Sequence, residues 1–231
     1  MRQRGIIALG GSLSVVAAAI LVGRDRWRRA LRELDRRSGL FAPHGSRLYS
    51  RLAPHLLRPL YRRIADDVGL VHAEGTVLDV GTGPGLLALE IARRQPRLTV
   101  LGMDLSPAMV AIARANAEGA GLGDRVHFET GDVAALPYGD ASVDLVVSSL
   151  SLHHWPRLTQ ALRDIHRVLR PGGSAWLYDV PSYSLREFQG AVAQTPFGGQ
   201  PVERTSVQAG PLGLPLVVRF ALTKTRPDHG A

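Results

Sequence analysis

The stretch VLDVGTGPG, residues 77–85, sets three glycines and a threonine (Gly81, Thr82, Gly83, Gly85) between an apolar run and a helical pattern. A turn this open lets a ligand lie against bare backbone. Asp79 stands inside the apolar run, where a carboxylate is costly to bury without a partner. It either bonds to the amides of the loop or faces a cationic ligand. Asp104 closes the second apolar run, nineteen residues beyond Gly85, where an acidic side chain can take both hydroxyls of a ribose. Its other use, as a helix cap, is already filled by Ser106. Asp132 follows Gly131 at the end of a third run. Three carboxylates at the ends of three strands suit a ligand that combines a ribose with a positive charge. Further on, His153 and His154 supply the side chains best matched to proton transfer near neutrality.

Two common phosphate-binding patterns fit poorly. A dinucleotide fingerprint reads G-x-G-x-x-G, and here the third glycine comes one residue early with proline before it. A triphosphate loop needs a lysine after its last glycine, and the chain's single lysine is Lys224.

The elements that must position these residues alternate from residue 76 onward, which is the signature of an α/β sheet. Strands are expected over 76–80, 97–105, 125–132, 141–152 and 174–180. Helices are expected over 84–95 with Pro84 in its first turn, over 106–120 with Ser106 as N-cap and Pro107 at its start, and over 156–170, stopped by the Pro-Gly-Gly run. Two tail strands, 202–209 and 214–224, have no helix between them and are expected to pair antiparallel at the sheet edge.

The N-terminal third differs in character. Residues 5–23 carry no charge and are long enough to cross a bilayer core, which takes about 20 residues. The arginine-dense stretch that follows is a good stop-transfer flank and a poor mature N-terminus, so an anchor is preferred to a signal peptide or a buried helix. The heavier positive load after the segment places the following domain on the cytoplasmic side, against anionic head groups; a cytoplasmic chain without an anchor is the alternative. Residues 24–70 read as basic juxtamembrane and lid helices, the latter broken near Pro54 and Pro59, with Tyr49, His55 and Tyr61 in reach of a substrate. The domain proper is expected over 71–226.

The net charge of +8 divides unevenly. Residues 1–63 hold 14 arginines against three carboxylates, a net of +11, whereas residues 64–231 hold 14 basic and 17 acidic groups, a net of −3. Basicity therefore belongs to the N-terminal segment, and a nucleic-acid partner is not expected. The absence of cysteine excludes disulfides, thiolate nucleophiles and cysteine-ligated metals, and no metal site is expected.

VLDVGTGPG, VLGMDLSPAMV, GDVAALPYGDASVDLVVSSLSLHHW and LRPGG, in that order, resemble the successive motifs of the class I S-adenosylmethionine-dependent methyltransferases. The likeness spans roughly residues 46–180 and is strongest to the small-molecule branch around ubiquinone and menaquinone biosynthesis. It implies a Rossmann-like seven-stranded sheet whose last strand is antiparallel, with an N-terminal helical extension, and S-adenosylmethionine as cofactor. By position, Gly81, Thr82, Gly83 and Gly85 would line the methionine part, with Asp79 near its ammonium. Asp104 and Leu105 would lie at the ribose, Met109 at the adenine, Asp132 and Val133 at the adenine edge, and Ser149 beside the sulfonium. The resemblance also places active-site residues where His153 and His154 stand, and one of the two is expected to be structural.

Absences narrow the acceptor. No N-P-P-Y run follows the fourth strand, no cysteine exists for cytosine methylation, and one lysine cannot build a ribose-methylating tetrad. The expected reaction is methylation of a small, lipophilic acceptor presented at the membrane surface. The alternatives are an anchored protein of this fold without activity and a dinucleotide-dependent oxidoreductase.

Overall fold

The computed structural model describes residues 43–208 and 215–226, with side chains for 57–208 and 217–226. Two compact units divide the chain, Met1–Tyr49 and Ser50–Ala231. Of the first, only the opening turns of α1 are described. The expected anchor (5–23) and basic stretch (24–37) lie outside the described residues, as do the side chains of Tyr49 and His55. Among the described residues no helix is long and apolar enough to cross a membrane.

In chain order the elements are α1 (Pro43–Val71), β1 (Gly75–Val80), α2 (Leu86–Arg94), β2 (Leu98–Asp104), α3 (Pro107–Gly119), β3 (Val126–Thr130) and β4 (Val143–Ser149). After a short 3-10 turn, Leu152–His154, come α4 (Leu158–Val168), β5 (Leu169–Asp179), α5 (Leu185–Val192), β6 (Glu203–Gln208) and β7 (Pro215–Thr223). The seven strands lie in the order β3-β2-β1-β4-β5-β7-β6. The first five are parallel, and β7 runs antiparallel to both β5 and β6. The last strand is thus antiparallel, as expected, and it is inserted one place in from the edge.

The runs in β1 and β4 are almost continuously buried, as a parallel sheet covered on both faces requires. Alternate residues point to opposite faces. Val77, Val100, Val147 and Tyr178 pack beneath α1, α2 and α3. Leu78, Val80, Val146 and Leu177 pack beneath α4 and α5. Chain order reverses between β1 and β4, which opens a crevice at the carboxyl ends of those two strands.

Three local expectations are corrected. Residues 43–71 form one unbroken helix despite Pro54 and Pro59. A proline inside a helix costs on the order of 3 kcal/mol. Leu60, Ile64, Ala65 and Val68, all fully buried on one stripe, recover that at about 2 kcal/mol for each large aliphatic side chain. Helix α2 starts two residues later than expected, because Gly85 takes a left-handed conformation at its cap and leaves Pro84 in the turn. The Pro-Gly-Gly run does follow the end of α4, but it bulges out of β5 and does not precede it. Helix α5 was not anticipated at all. Ser184 caps it by accepting the Glu187 amide at 3.2 Å, and the S-x-x-E spacing of a capping box announced it.

Lys224 explains why the bulge holds. Its backbone pairs with Gly172 and Gly173. Its ammonium donates to the carbonyls of His166, Arg167 and Leu169 at 2.9, 3.4 and 2.7 Å, capping α4 where its carbonyls have no helical partner. Lys224→Met keeps the apolar stem and removes those bonds. It should lower stability by about 2 kcal/mol, read as a fall of several degrees in Tm, with the fold retained.

Candidate active site

The crevice is lined first by the glycine loop. Asp79 in β1 is 1% exposed; its Oδ2 accepts the Thr82 hydroxyl at 2.7 Å, while its Oδ1 is buried with no partner. Burial drives its pKa up to about 7, opposed by the Thr82 hydroxyl and reinforced by the Asp104 carboxylate. An unpaired buried carboxylate oxygen costs about 1–3 kcal/mol, and a cationic donor placed against it would remove that cost. Of the two readings open for Asp79, the hydrogen-bonded one is met at one oxygen, by the Thr82 side chain and not by a loop amide, and the other oxygen is left without a hydrogen bond.

Asp104, at the tip of β2, clamps the loop. Its Oδ2 accepts the Gly83 amide at 2.8 Å and its Oδ1 accepts the Ser106 amide at 2.9 Å. Burial raises its pKa, and the two amides oppose the rise. Each oxygen retains a second lone pair, so ribose hydroxyls can still be bound. Ser106 caps α3 through the Met109 amide, as its position predicted.

The three loop glycines divide their tasks. At Gly83 an added Cβ would meet nothing within 4 Å, so this residue presents open backbone. At Gly85 a Cβ would lie 2.7 Å from Phe128 Cζ and 2.9 Å from Ala113 Cβ. The absence of a side chain at Gly85 is what lets Phe128 and Ala113 close against the loop. Thr82 ties the loop to β2 through a 2.9 Å bond from its amide to the Met103 carbonyl.

Around the rim, Leu105 is 71% exposed, Met109 is buried in the first turn of α3, and Val133 is half-buried. Asp132 is more committed than expected. Its Oδ1 accepts the Ala134 amide at 2.8 Å and its Oδ2 accepts Arg157 at 2.6 Å. The Ala134 amide and then Arg157 hold its pKa below the ordinary range. Arg157 was not anticipated.

On the other side of the crevice β4 ends at Ser149, half-buried, and the next residue, Leu150, is left-handed with φ 56°. A branched residue there costs about 1–2 kcal/mol, and such strain concentrates at functional turns. The turn swings the 3-10 segment back over the end of β5. There Asp179, fully buried, accepts the His153 backbone amide at 2.8 Å and the Val180 amide at 2.6 Å. Its Oδ1 also lies 2.8 Å from His153 Nδ1. A carboxylate accepts, so the neutral ring that suits this contact carries its proton on Nδ1 and its lone pair on Nε2. His154 is exposed, with its ring 4.0 Å from that of His153 and tilted by 45°. The structure thus separates the two histidines. Asp179 was missed, although an acid at a strand end is the feature that singled out Asp104 and Asp132.

Residues 77–173 match a family model described as a methyltransferase domain. Over that stretch the chain is similar to methyltransferase domains. That match decides against the dinucleotide alternative. Over 121 residues the chain is 39% identical to a demethylmenaquinone methyltransferase of Deinococcus radiodurans, covering 52% of this chain and 49% of that one. It is 41% identical over 115 residues to the 27-O-demethylrifamycin SV methyltransferase of Amycolatopsis mediterranei, covering 48% and 42%. The chain spans about half the length of the curated relatives it matches. Among solved structures, a SAM-dependent methyltransferase from Aquifex aeolicus superposes with a TM-score of 0.64 at 20% identity, over 78% of this chain and 97% of that one. That last likeness concerns the fold.

The methyltransferase domain offers groups that fit S-adenosylmethionine. Asp79 Oδ1 is a buried oxygen for the ammonium, Gly83 is open backbone, Asp104 has spare lone pairs for the ribose, and Leu105 and Met109 are apolar surface for the base.

Proposed function

We propose that this protein transfers a methyl group from S-adenosylmethionine to a hydroxyl oxygen or activated carbon of a small quinone-like acceptor, with His153 as general base. The observation that carries the proposal is the Asp179–His153 pair, which leaves Nε2 as a proton acceptor on a segment packed against the glycine loop. When bound, the cofactor supplies an electrophilic methyl carbon on a positively charged sulfur. His153 Nε2 takes the proton that the acceptor's O–H or C–H must lose as its electron pair forms the new bond to carbon. Asp179 holds the ring in one tautomer and stabilises the charge it gains. Asp79, Gly83 and Asp104 hold the donor, and the crevice contributes by positioning the two reactants.

The quinone-like acceptor rests on likeness to the demethylmenaquinone methyltransferase of Deinococcus radiodurans, and experiment decides between oxygen and carbon. The uncharged run of residues 5–23 supports action at a membrane surface on a lipophilic acceptor. Incubation of the full chain with S-adenosylmethionine and reduced demethylmenaquinone, or a panel of simpler hydroquinones, should yield products heavier by one CH₂ together with S-adenosylhomocysteine. Cofactor binding without transfer to any member of the panel would overturn the acceptor class. Fractionation in high salt tests the anchor, because a spanning helix stays with the membranes.

The raised pKa of Asp79 makes cofactor binding pH-dependent. Without ligand, Asp79 is half-protonated at about pH 7. An ammonium against Oδ1 favours the ionised form and lowers that value, so binding below pH 7 must expel a proton. Affinity for S-adenosylhomocysteine should be level above about pH 7.5 and fall towards tenfold per pH unit below 7. Calorimetry in buffers of different ionisation heat would show the released proton, and Asp79→Asn should bind more weakly with a flat profile.

A further inference from the structure

Between the glycine loop and His153 stands Ser151, to which no role has been given so far. Its hydroxyl meets three groups: Trp155 Nε1 at 3.2 Å, Ser148 Oγ at 2.7 Å and the Val80 carbonyl at 3.4 Å. A hydroxyl has one proton to give and two lone pairs to offer. Indole N–H only donates, so Ser151 accepts from Trp155, and its one proton is shared between Ser148 Oγ and the Val80 carbonyl. The Ser148 side of this contact is fully buried.

The same side chain is packed against the donor loop. A Cβ added to Gly81 would lie 2.3 Å from Ser151 Oγ and 2.6 Å from Ser151 Cβ. Gly81 thus serves to let Ser151 reach the backbone at the end of β1. In sequence Ser151 follows the left-handed Leu150 and opens the 3-10 turn, accepting the His154 amide at 2.9 Å. His153 is two residues on. One hydroxyl therefore ties the end of β1, the buried end of β4 and the turn that carries the base.

We infer that Ser151 is a positioning residue, which couples the donor loop at Val80–Gly81 to the placement of His153. The inference rests on the methyltransferase reading and adds a residue that touches neither donor nor acceptor chemistry directly. It requires that a ligand in the donor site be felt at the imidazole through this contact.

The test needs no acceptor. The full chain, labelled with ¹⁵N-histidine, is titrated with S-adenosylhomocysteine while the imidazole nitrogens of His153 are followed by NMR, assigned by their loss in His153→Gln. In the native protein the ligand should shift the His153 signals. In Ser151→Ala the dissociation constant should stay within about threefold, while the His153 response is at least halved. Trp155→Phe, which keeps the ring and removes one donor, should give a smaller loss in the same direction and serves if Ser151→Ala does not fold. An undiminished His153 response in these variants overturns the inference, and so does loss of ligand binding in Ser151→Ala, which would make Ser151 part of the donor site itself. If the native protein takes up no S-adenosylhomocysteine, the methyltransferase reading fails first, and this inference with it.

Discussion

His153→Gln should lower the rate of methyl transfer by about a thousandfold while leaving affinity for S-adenosylhomocysteine unchanged, in line with the usual contribution of a positioned general base. The expectation follows from the tautomer. Asp179 is fully buried and accepts at both oxygens, so it suits an Nδ1 hydrogen pointed at it and leaves Nε2 away from it. Glutamine fills similar space but cannot accept and hold a proton near neutrality. Asp179→Asn should cost nearly as much for a different reason. The amide brings a donor to a place where His153 N–H, Nδ1–H and Val180 N–H already donate, so it either turns the ring or releases it. His154→Gln is the comparison, and its loss should stay within a few-fold, because that ring is exposed and lies tilted beside its neighbour's. Initial rates of S-adenosylhomocysteine release on the acceptor identified from the quinol panel measure all three. A His153→Gln rate within tenfold of the native one would remove His153 as base.

Asp104→Ala should weaken S-adenosylhomocysteine binding at least a hundredfold, about 2.7 kcal/mol. Two losses combine. The Gly83 and Ser106 amides lose a charged acceptor that fixes the loop before any ligand arrives, and charge-assisted bonds of this type are worth about 1.5–3 kcal/mol each. The two spare lone pairs facing a ribose vanish as well. Asp132→Ala provides the contrast. That carboxylate is partly exposed and already engaged by Arg157 and Ala134, so its removal should change affinity only a few-fold. Calorimetry on the full-length variants, with Tm recorded to confirm folding, settles the order. Equal losses at the two positions would mean that the cofactor displaces Arg157 and takes the carboxylate of Asp132 directly.

Much of this was legible because it is local. Alternating patterns fixed the strands, Ser106 and Pro107 announced a helix start, and the motif order from Gly81 to the Pro-Gly-Gly run carried the likeness to methyltransferase domains. What escaped notice within reach of sequence was also local. The Ser184–Glu187 spacing announced α5, and Asp179 ended its strand as Asp104 and Asp132 ended theirs.

Other features depended on contacts between residues far apart in the chain. Pro54 and Pro59 predict a break, and only the burial of Leu60, Ile64 and Val68 against the sheet outweighs them. Lys224 looks like an ordinary surface lysine until the return of β7 brings it under the last turn of α4. Gly85 and Gly83 are alike in a motif, yet Phe128 from β3 fills the space over one and leaves the other open. Of two adjacent histidines, His153 is the one that meets Asp179, 26 residues away. Sequence by itself determined the sheet and the set of polar residues at the strand ends, since these follow from periodicity and motif spacing. Tertiary structure alone decided which of those residues keep unused hydrogen-bonding capacity and which are already spent on each other, because that depends on where strands distant in sequence end side by side.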